Sequence, residues 1–337
     1  MITAAYLPVA VIGAGLAGLS CAHRLLEAGH TVHLFDKSRG PAGRMSTRRA
    51  KDTAGSWQCD HGAQYFTARD PAFRAEVARW ETAGVAARWD ARLTSFDGST
   101  WAAPQTPLER FVGTPRMTSP AGWLASKMGE AGTLRLKTTV QRLERSEKGW
   151  KLESAEHGQH TPIYGAVVLA MPAPQAAQLL TPVSFAGVAV AQSANMRGSW
   201  AVMLRFAVPP SLGWDGAFIN AGPLRWVARN SSKPGRRGQE TWLLHASPEW
   251  SEAHIEDDAE SVSATLVEAF IALGGRRPLA ATAHRWRYAD TEPPLTMGCW
   301  WDETAKLGLC GDWLHGGKVE GAWLSGQAVA SRMLCRR

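Results

Sequence analysis

The stretch VIGAGLAGL, residues 11–19, decides how the first part of this chain folds. Residues 9–12 are a short apolar run that reads as a fully buried strand, and residues 20–28 read as a helix that stops at Gly29. Between them Gly13 permits a tight strand-to-helix turn, Gly15 lets the backbone approach a pyrophosphate, and Gly18 lets the helix pack closely on the sheet. Leu16 and Ala17 belong to the same contact, because the phosphate sits at a helix N-terminus. HTVHLFD, residues 30–36, is a second strand, and its Asp36 stands twenty-three positions beyond Gly13, where an acid accepts hydrogen bonds from ribose hydroxyls. Strand, glycines, helix, strand and acid in register make a dinucleotide-binding βαβ unit. The unit alone does not separate NAD from FAD, since both carry an ADP half.

The next segment, KSRGPAGRMSTRR (37–49), adds Lys37, Arg39, Gly43, Arg44 and Met45 after the second strand. A cation and a flexible backbone there would meet the far phosphate and the second half of a longer cofactor. On spacing alone a solvated basic loop is the competing reading. Asp36 argues against a 2′-phosphate at the ribose.

The whole chain sets wider bounds. Its 337 residues suit two interleaved domains, and 45% hydrophobic with 20% charged residues is the composition of a soluble globular protein. The net charge of +7 is scattered, with tight clusters only at Arg48, Arg49 and Lys51 and at Arg236 and Arg237. These read as solvated loops, not as a nucleic-acid surface, although a positive field concentrates phosphorylated ligands. Five cysteines (Cys21, Cys59, Cys299, Cys310, Cys335) without a CxxC pair indicate neither a disulfide framework nor a metal site, and fit a reducing, cytoplasmic location. The run from Leu7 to Ala22 lacks the basic n-region of a signal peptide, and no stretch is long and apolar enough to span a membrane.

Farther along, residues 71–90 look helical, and residues 199–246 alternate apolar and polar side chains in WAVMLRF, LRWVARN and TWLLHAS, which points to an antiparallel sheet. A helix from about Asp258 turns Val262, Leu266, Phe270 and Leu273 to a core and stops at Gly274 and Gly275. Residues 307–310 are a short strand ending in Gly311 and Asp312, and GAWLSGQAVASRML (321–334) is a helix whose start, at Gly321 and Ala322, would point a positive dipole at a cofactor.

Three stretches, VIGAGLAGLSCAHRLLEAGHTVHLFDKSRGPAGRMSTRR (11–49), CDHGAQYFTARDPAF (59–73) and LCGDWLHGGKVEGAWLSGQAVA (309–330), together resemble the renalase group of flavoproteins, especially its bacterial members, within the flavin amine oxidase clan. TPRMTSP, TTVQRLE, VVLAMPAPQA, LLHASPEWS and HRWRYA match more weakly. The resemblance implies an α/β fold in which a Rossmann-type FAD-binding domain (1–70, 105–183, 286–337) is interleaved with an α+β substrate domain (71–104, 184–285) carrying a mostly antiparallel sheet. It implies FAD, with the ADP half on Gly13, Gly15, Gly18 and Asp36, the pyrophosphate near Arg44, Val140 at the adenine side and Asp312 at the ribityl and pyrophosphate region. Gly62, Ala63, Gln64 and Tyr65 match positions beside the flavin. The SGGCY stretch of some amine oxidases is absent, so the flavin is expected to be noncovalent. Where the group more often shows a GGR core this chain has GPAGR, so Ala42 puts the local turn in question.

The activity implied is oxidation, by O2 to hydrogen peroxide, of NAD(P)H isomers carrying the hydride at position 2 or 6. The ring becomes aromatic on losing hydride, so the protein chiefly orients two rings. His245, Trp286 and Trp301 lie in or near matching segments and are candidates for the flavin face, with a satisfied core histidine as the competing reading of His245. The runner-up activity is a flavin amine oxidase, which needs an aromatic cage and a deprotonated amine. A noncatalytic nucleotide-binding module and a membrane-docked porphyrinogen or carotene oxidase fit less well, the latter for want of a basic amphipathic segment. No obligate protein partner is evident.

Overall fold

The computed structural model describes residues 7–52, 55–103 and 108–335. The apolar run Val9–Ile12 is a strand buried along its whole length. It sits inside a six-stranded sheet of order Trp300–Asp302, Leu307–Leu309, Ala166–Leu169, Val9–Ile12, Val32–Phe35, Gly132–Arg135. All neighbours are parallel except the edge strand Trp300–Asp302. Parallel strands covered on both faces need continuous apolar sequence, which VAVI and AVVL supply.

One face is covered by the helices Leu16–Glu27 and Lys318–Leu334, which approach so closely that a Cβ on Gly326 would lie 2.1 Å from the Ala17 carbonyl oxygen. The other face carries a three-stranded sheet, Val140–Ser146, Gly149–Ser154 and Gly158–Gln159, whose Trp150 and Leu152 pack with Phe35 and Val167.

Three boundaries differ from the sequence reading. The first helix starts at Leu16, not Ser20, because Gly15 is its N-cap and the third glycine of the motif lies inside it. The last helix starts at Lys318, so Gly321 is one turn inside it. The helix expected over 71–90 ends at Thr82: Gly84, at φ +70°, reverses the chain into the strand Ala86–Arg88, which pairs with Phe111–Gly113. That helix, Pro71–Thr82, buries Phe73, Val77 and Trp80 in the same core as Leu16 and Leu19. Residues 71–82, allotted from sequence to the substrate domain, therefore pack on the dinucleotide unit.

The second large sheet has seven strands in the order Ala280–Thr291, Met196–Phe206, Glu240–Ala246, Leu224–Arg229, Gly216–Ile219, Leu93–Phe96, Trp101–Ala102. Every pairing is antiparallel except Gly216–Ile219 with Leu93–Phe96. Helix Ala259–Ala272, capped by Asp258, seats Val262, Leu266 and Phe270 on one face against Trp200, Val202 and Leu244. The division placed at 285/286 cuts through the strand Ala280–Thr291, which is one hydrogen-bonded unit with Met196–Phe206. The opposite face packs Ala201, Met203 and Leu243 against Trp57 and Cys59 of the hairpin Thr47–Asp52/Gly55–Asp60. The α/β class with a mostly antiparallel second sheet is thus the observed one.

Candidate active site

A cavity of about 1300 Å³ lies between the two sheets. That exceeds the roughly 300–1,000 Å³ of a single-ligand pocket, and leaves room for a dinucleotide and a second molecule. At its dinucleotide end the glycines divide the work. A Cβ on Gly13, at φ +112°, would sit 2.2 Å from the Ala170 carbonyl oxygen, and one on Gly18 would sit 1.9 Å from that of Gly13. Gly15 would meet nothing within 4 Å and faces the void. The Asp36 carboxylate is clamped by the Ala14 amide at 2.6 Å and the Ser38 amide at 2.7 Å. Leu16, Ala17 and Lys37 line this end, followed by Gly43, Arg44 and Met45, then Gly62, Ala63, Gln64 and Tyr65, with Val140, Asp312 and Ala322 completing the wall.

Three proposed cofactor residues are not in that wall. Gly18 is packed under Gly13, Arg39 is exposed, and Gly321 is turned to the His315 carbonyl, where a Cβ would stand 2.0 Å from the oxygen. Ala42 takes φ +122°, a conformation that glycine adopts freely, while its amide donates to the Ala14 carbonyl at 2.9 Å. The turn made without the missing glycine is retained at a strain on the order of 1–3 kcal/mol.

Arg44 is already engaged. Its guanidinium donates to both carboxylate oxygens of Asp312 and to the Ala289 carbonyl, the latter at 3.0 Å. It joins the loop after the second strand, the turn before the last helix and the edge of the seven-stranded sheet.

Behind Gln64 lies a buried ion cluster. One Asp60 carboxylate oxygen accepts from Lys233 at 3.1 Å and Arg236 at 2.6 Å, and the other accepts from Thr47 at 2.6 Å. Lys233 also donates to Gln64 Oε1 at 3.1 Å, and the Gln64 amide donates to the Asp60 and Gly62 carbonyls. Burial alone pushes the Asp60 carboxyl up, but Lys233 and Arg236 together outweigh it and hold it at about 2. Burial pulls the Lys233 ammonium below its ordinary range. Arg236, read from sequence as a solvated loop residue, is therefore an internal ion that shares the buried Asp60 carboxylate with Lys233.

At the other end the sheet forms a floor. Across four strands Trp226, His245, Ala201 and His284 stand side by side in register, so they share one face. Trp286 follows two residues after His284 and returns to that face. His61 reaches over from its loop, stacked on Trp286 at 5.2 Å and edge-on to His284 at 4.7 Å. Its carbonyl accepts from Trp286 Nε1 at 2.8 Å and His245 Nε2 at 3.3 Å. Burial, then the neighbouring His284 and Arg48, bring His61 down to about 3; burial brings His245 to about 4 and lowers His284 as well. All three imidazoles are neutral at pH 7. His245 and Trp286 thus meet at one wall of the cavity.

Trp301 does not join them. It lies on the edge strand of the six-stranded sheet, donates to Glu303 at 2.7 Å and is outside the cavity. The sequence reading missed His61, His284, Trp226 and the Asp60–Lys233–Arg236 cluster. His284 had a signal, standing two residues before Trp286 in a strand; the others depend on pairings between distant segments. Among the described residues no three His, Cys, Asp or Glu side chains gather to hold a metal, and no helix is long and apolar enough to cross a membrane.

The fold and cavity define a dinucleotide-dependent oxidoreductase. Residues 11–80 match the NAD(P)-binding Rossmann-like domain, and residues 93–334 match the flavin containing amine oxidoreductase family, to which the chain belongs. It is an FAD-dependent oxidoreductase, and the residues present fit that cofactor: an open Gly15 at a helix start and a clamped Asp36 at the second strand end. Among solved structures the chain is similar to a putative protoporphyrinogen oxidase from Exiguobacterium sp. 255-15, with TM-score 0.78, 11% identity and 99% of each chain covered. It is also similar to a putrescine oxidase bound to putrescine, with TM-score 0.72 and 12% identity over 98% of this chain and 99% of that one. Cyclohexylamine oxidase from Brevibacterium oxydans IH-35A gives TM-score 0.72 and 13% identity over 97% of this chain and 98% of that one. At such identities the likeness is one of fold.

Proposed function

We propose that this protein oxidises the 2- and 6-dihydro isomers of NAD(P)H to NAD(P)+, with noncovalent FAD and O2, giving hydrogen peroxide. The observation that carries the reading is the chemistry of the floor: flat, aromatic and uncharged, with Trp226, Trp286 and three neutral histidines. A dihydropyridine that loses hydride becomes aromatic and sheds no proton, so it needs orientation and no acid–base pair. The carboxylates in the cavity wall are Asp36, held by amides, Asp312, paired with Arg44, and Asp290. Against them stand Lys37, Arg44, Arg225, Arg285, Arg287 and Lys318, a balance that suits a phosphorylated substrate better than an ammonium.

FAD, when bound, would supply the two-electron acceptor, with O2 as the final oxidant. The chain's own residues do the remainder. Gly15 and the start of helix Leu16–Glu27 would hold the pyrophosphate, Asp36 the ribose, and the floor would seat the substrate ring while His61 and Trp286 exclude water. All five cysteines are free and none lines the cavity, which accords with a flavin not bonded to a thiol.

The second reading, a flavin amine oxidase, is favoured by the aromatic group of Tyr65, Trp226 and Phe218 in the cavity wall and by the family. Anaerobic stopped-flow absorbance of the yellow protein separates the two. Bleaching by borohydride-generated NAD(P)H isomers, with none by a panel of primary and secondary amines, is the expected result; bleaching by amines alone would transfer the chain to the second reading.

A further inference from the structure

We propose that Arg225 is the residue that recognises the substrate's phosphate at the cavity mouth, and so sets the preference for a dinucleotide over a bare nicotinamide ring. The inference rests on the dihydronicotinamide reading above.

The strand Leu224–Arg229 pairs with Glu240–Ala246, and the register slips between Leu224, opposite Ala246, and Trp226, opposite His245. Two residues on one strand answer to one on the other, which is a β-bulge with Arg225 as the extra residue. The effect shows in the packing. Leu224 is buried in the core under helix Ala259–Ala272, whereas Trp226 is buried on the cavity side, although residues two apart in a regular strand share a face. A ladder without Arg225 would place Leu224 and Trp226 on those same opposite faces by simple alternation. The sheet therefore has no need of the extra residue, and what the bulge achieves is to deliver Arg225 to the cavity wall beside Trp226 of the floor.

The neighbouring cations of that rim are committed elsewhere. Arg287 makes a two-pronged pair with Glu256 at 2.6 and 2.9 Å, and Arg285 donates to the Ile255 carbonyl at 2.7 Å and to Glu256 at 3.1 Å. Among the described residues Arg225 makes one hydrogen-bonding contact, a long one of 3.5 Å to Asp290 Oδ2, between side chains about half exposed. Such a pair is worth little in water and gives way readily to a better anion, and a guanidinium takes a phosphate through two parallel hydrogen bonds. A ring seated on the floor next to Trp226 would carry its phosphates toward the residue that precedes Trp226 in the chain.

The test compares two reductants in anaerobic flavin reduction: the 2- and 6-dihydro NADH isomers and the 2- and 6-dihydro forms of 1-methylnicotinamide, which have no phosphate. Wild-type protein is expected to saturate with the dinucleotide at much lower concentration. In Arg225→Gln that advantage should fall at least tenfold, and in Asp290→Asn, where the competing carboxylate is gone, it should grow. Titration of NAD+ against flavin absorbance should rank the three proteins in the same order without turnover. Equal weakening of both reductants in Arg225→Gln, or no change in their ratio, would overturn the assignment. Failure of both reductants to bleach the wild-type flavin would instead strike the underlying reading, and the assignment with it.

Discussion

At the scale of single residues, the three motif glycines have different reasons to exist, and substitution should separate them. A methyl on Gly15 enters open space that the cofactor requires, so Gly15→Ala should fold with near-normal thermal stability and lose FAD on dialysis. A methyl on Gly18 collides with the Gly13 backbone, so Gly18→Ala should lower the melting temperature of the protein stripped of FAD as well. Apo-protein melting curves beside flavin occupancy would settle it; equal loss of stability in both variants would refute the distinction. These residues were legible in the sequence because the βαβ unit is local: strand, turn, helix and acid follow one another within twenty-eight residues, from Val9 to Asp36. Trp301 was misplaced for the converse reason, since sixteen tryptophans announce aromatic faces without saying which cavity each one meets.

At the scale of elements, the Arg44–Asp312 pair is a three-way joint. Arg44 is about a third exposed and Asp312 nearly buried, so the pair is screened on one side only. Arg44→Ala should cost about 1–3 kcal/mol of stability, chiefly by leaving Asp312 unpaired. Asp312→Asn should cost less, and the double variant should fall short of the sum, the mark of a shared contact. Additive losses in a denaturant-unfolding cycle would show that the two side chains act independently. Neither the joint nor the bulge at Arg225 could be seen from sequence: the first joins residues 268 positions apart, and the second is an irregularity that alternation in LRWVARN does not reveal.

At the scale of the whole molecule, two sets of buried ionisable groups hold the sheets about the cavity, and acid should attack them in order. His61 and His245 have folded values near 3 and 4 against an ordinary 6.5. As pH falls below about 6.5 the unfolded chain binds protons that the folded one refuses, and stability drops by about 1.4 kcal/mol per pH unit for each such histidine. Asp60 acts in the same sense in a lower window: depressed to about 2 from 3.8, it contributes in full above the latter value and its contribution fades as pH falls toward the former. The melting temperature should therefore decline between pH 6.5 and 4, and the decline should flatten in His61→Gln and His245→Gln. A flat profile in the parent protein would show that these imidazoles take up protons without unfolding. The antiparallel sheet and the capped helix after Asp258 were readable from their periodicity, but the meeting of residues 61, 201, 226, 245 and 284 was not, because cross-strand register is set only when the chain closes.

The row of residues that carries the floor is also a seam between layers. Its central position belongs to Ala201, which stands between His245 and His284 and is fully buried against Trp57 and Cys59 of the hairpin Thr47–Asp52/Gly55–Asp60. A methyl group is what lets that hairpin close on the sheet. Enlarging Ala201 would press on the strand that ends at Asp60 and so displace His61, the next residue, from behind. The smallest side chain of the row thus governs where one of its imidazoles stands, without facing the cavity itself.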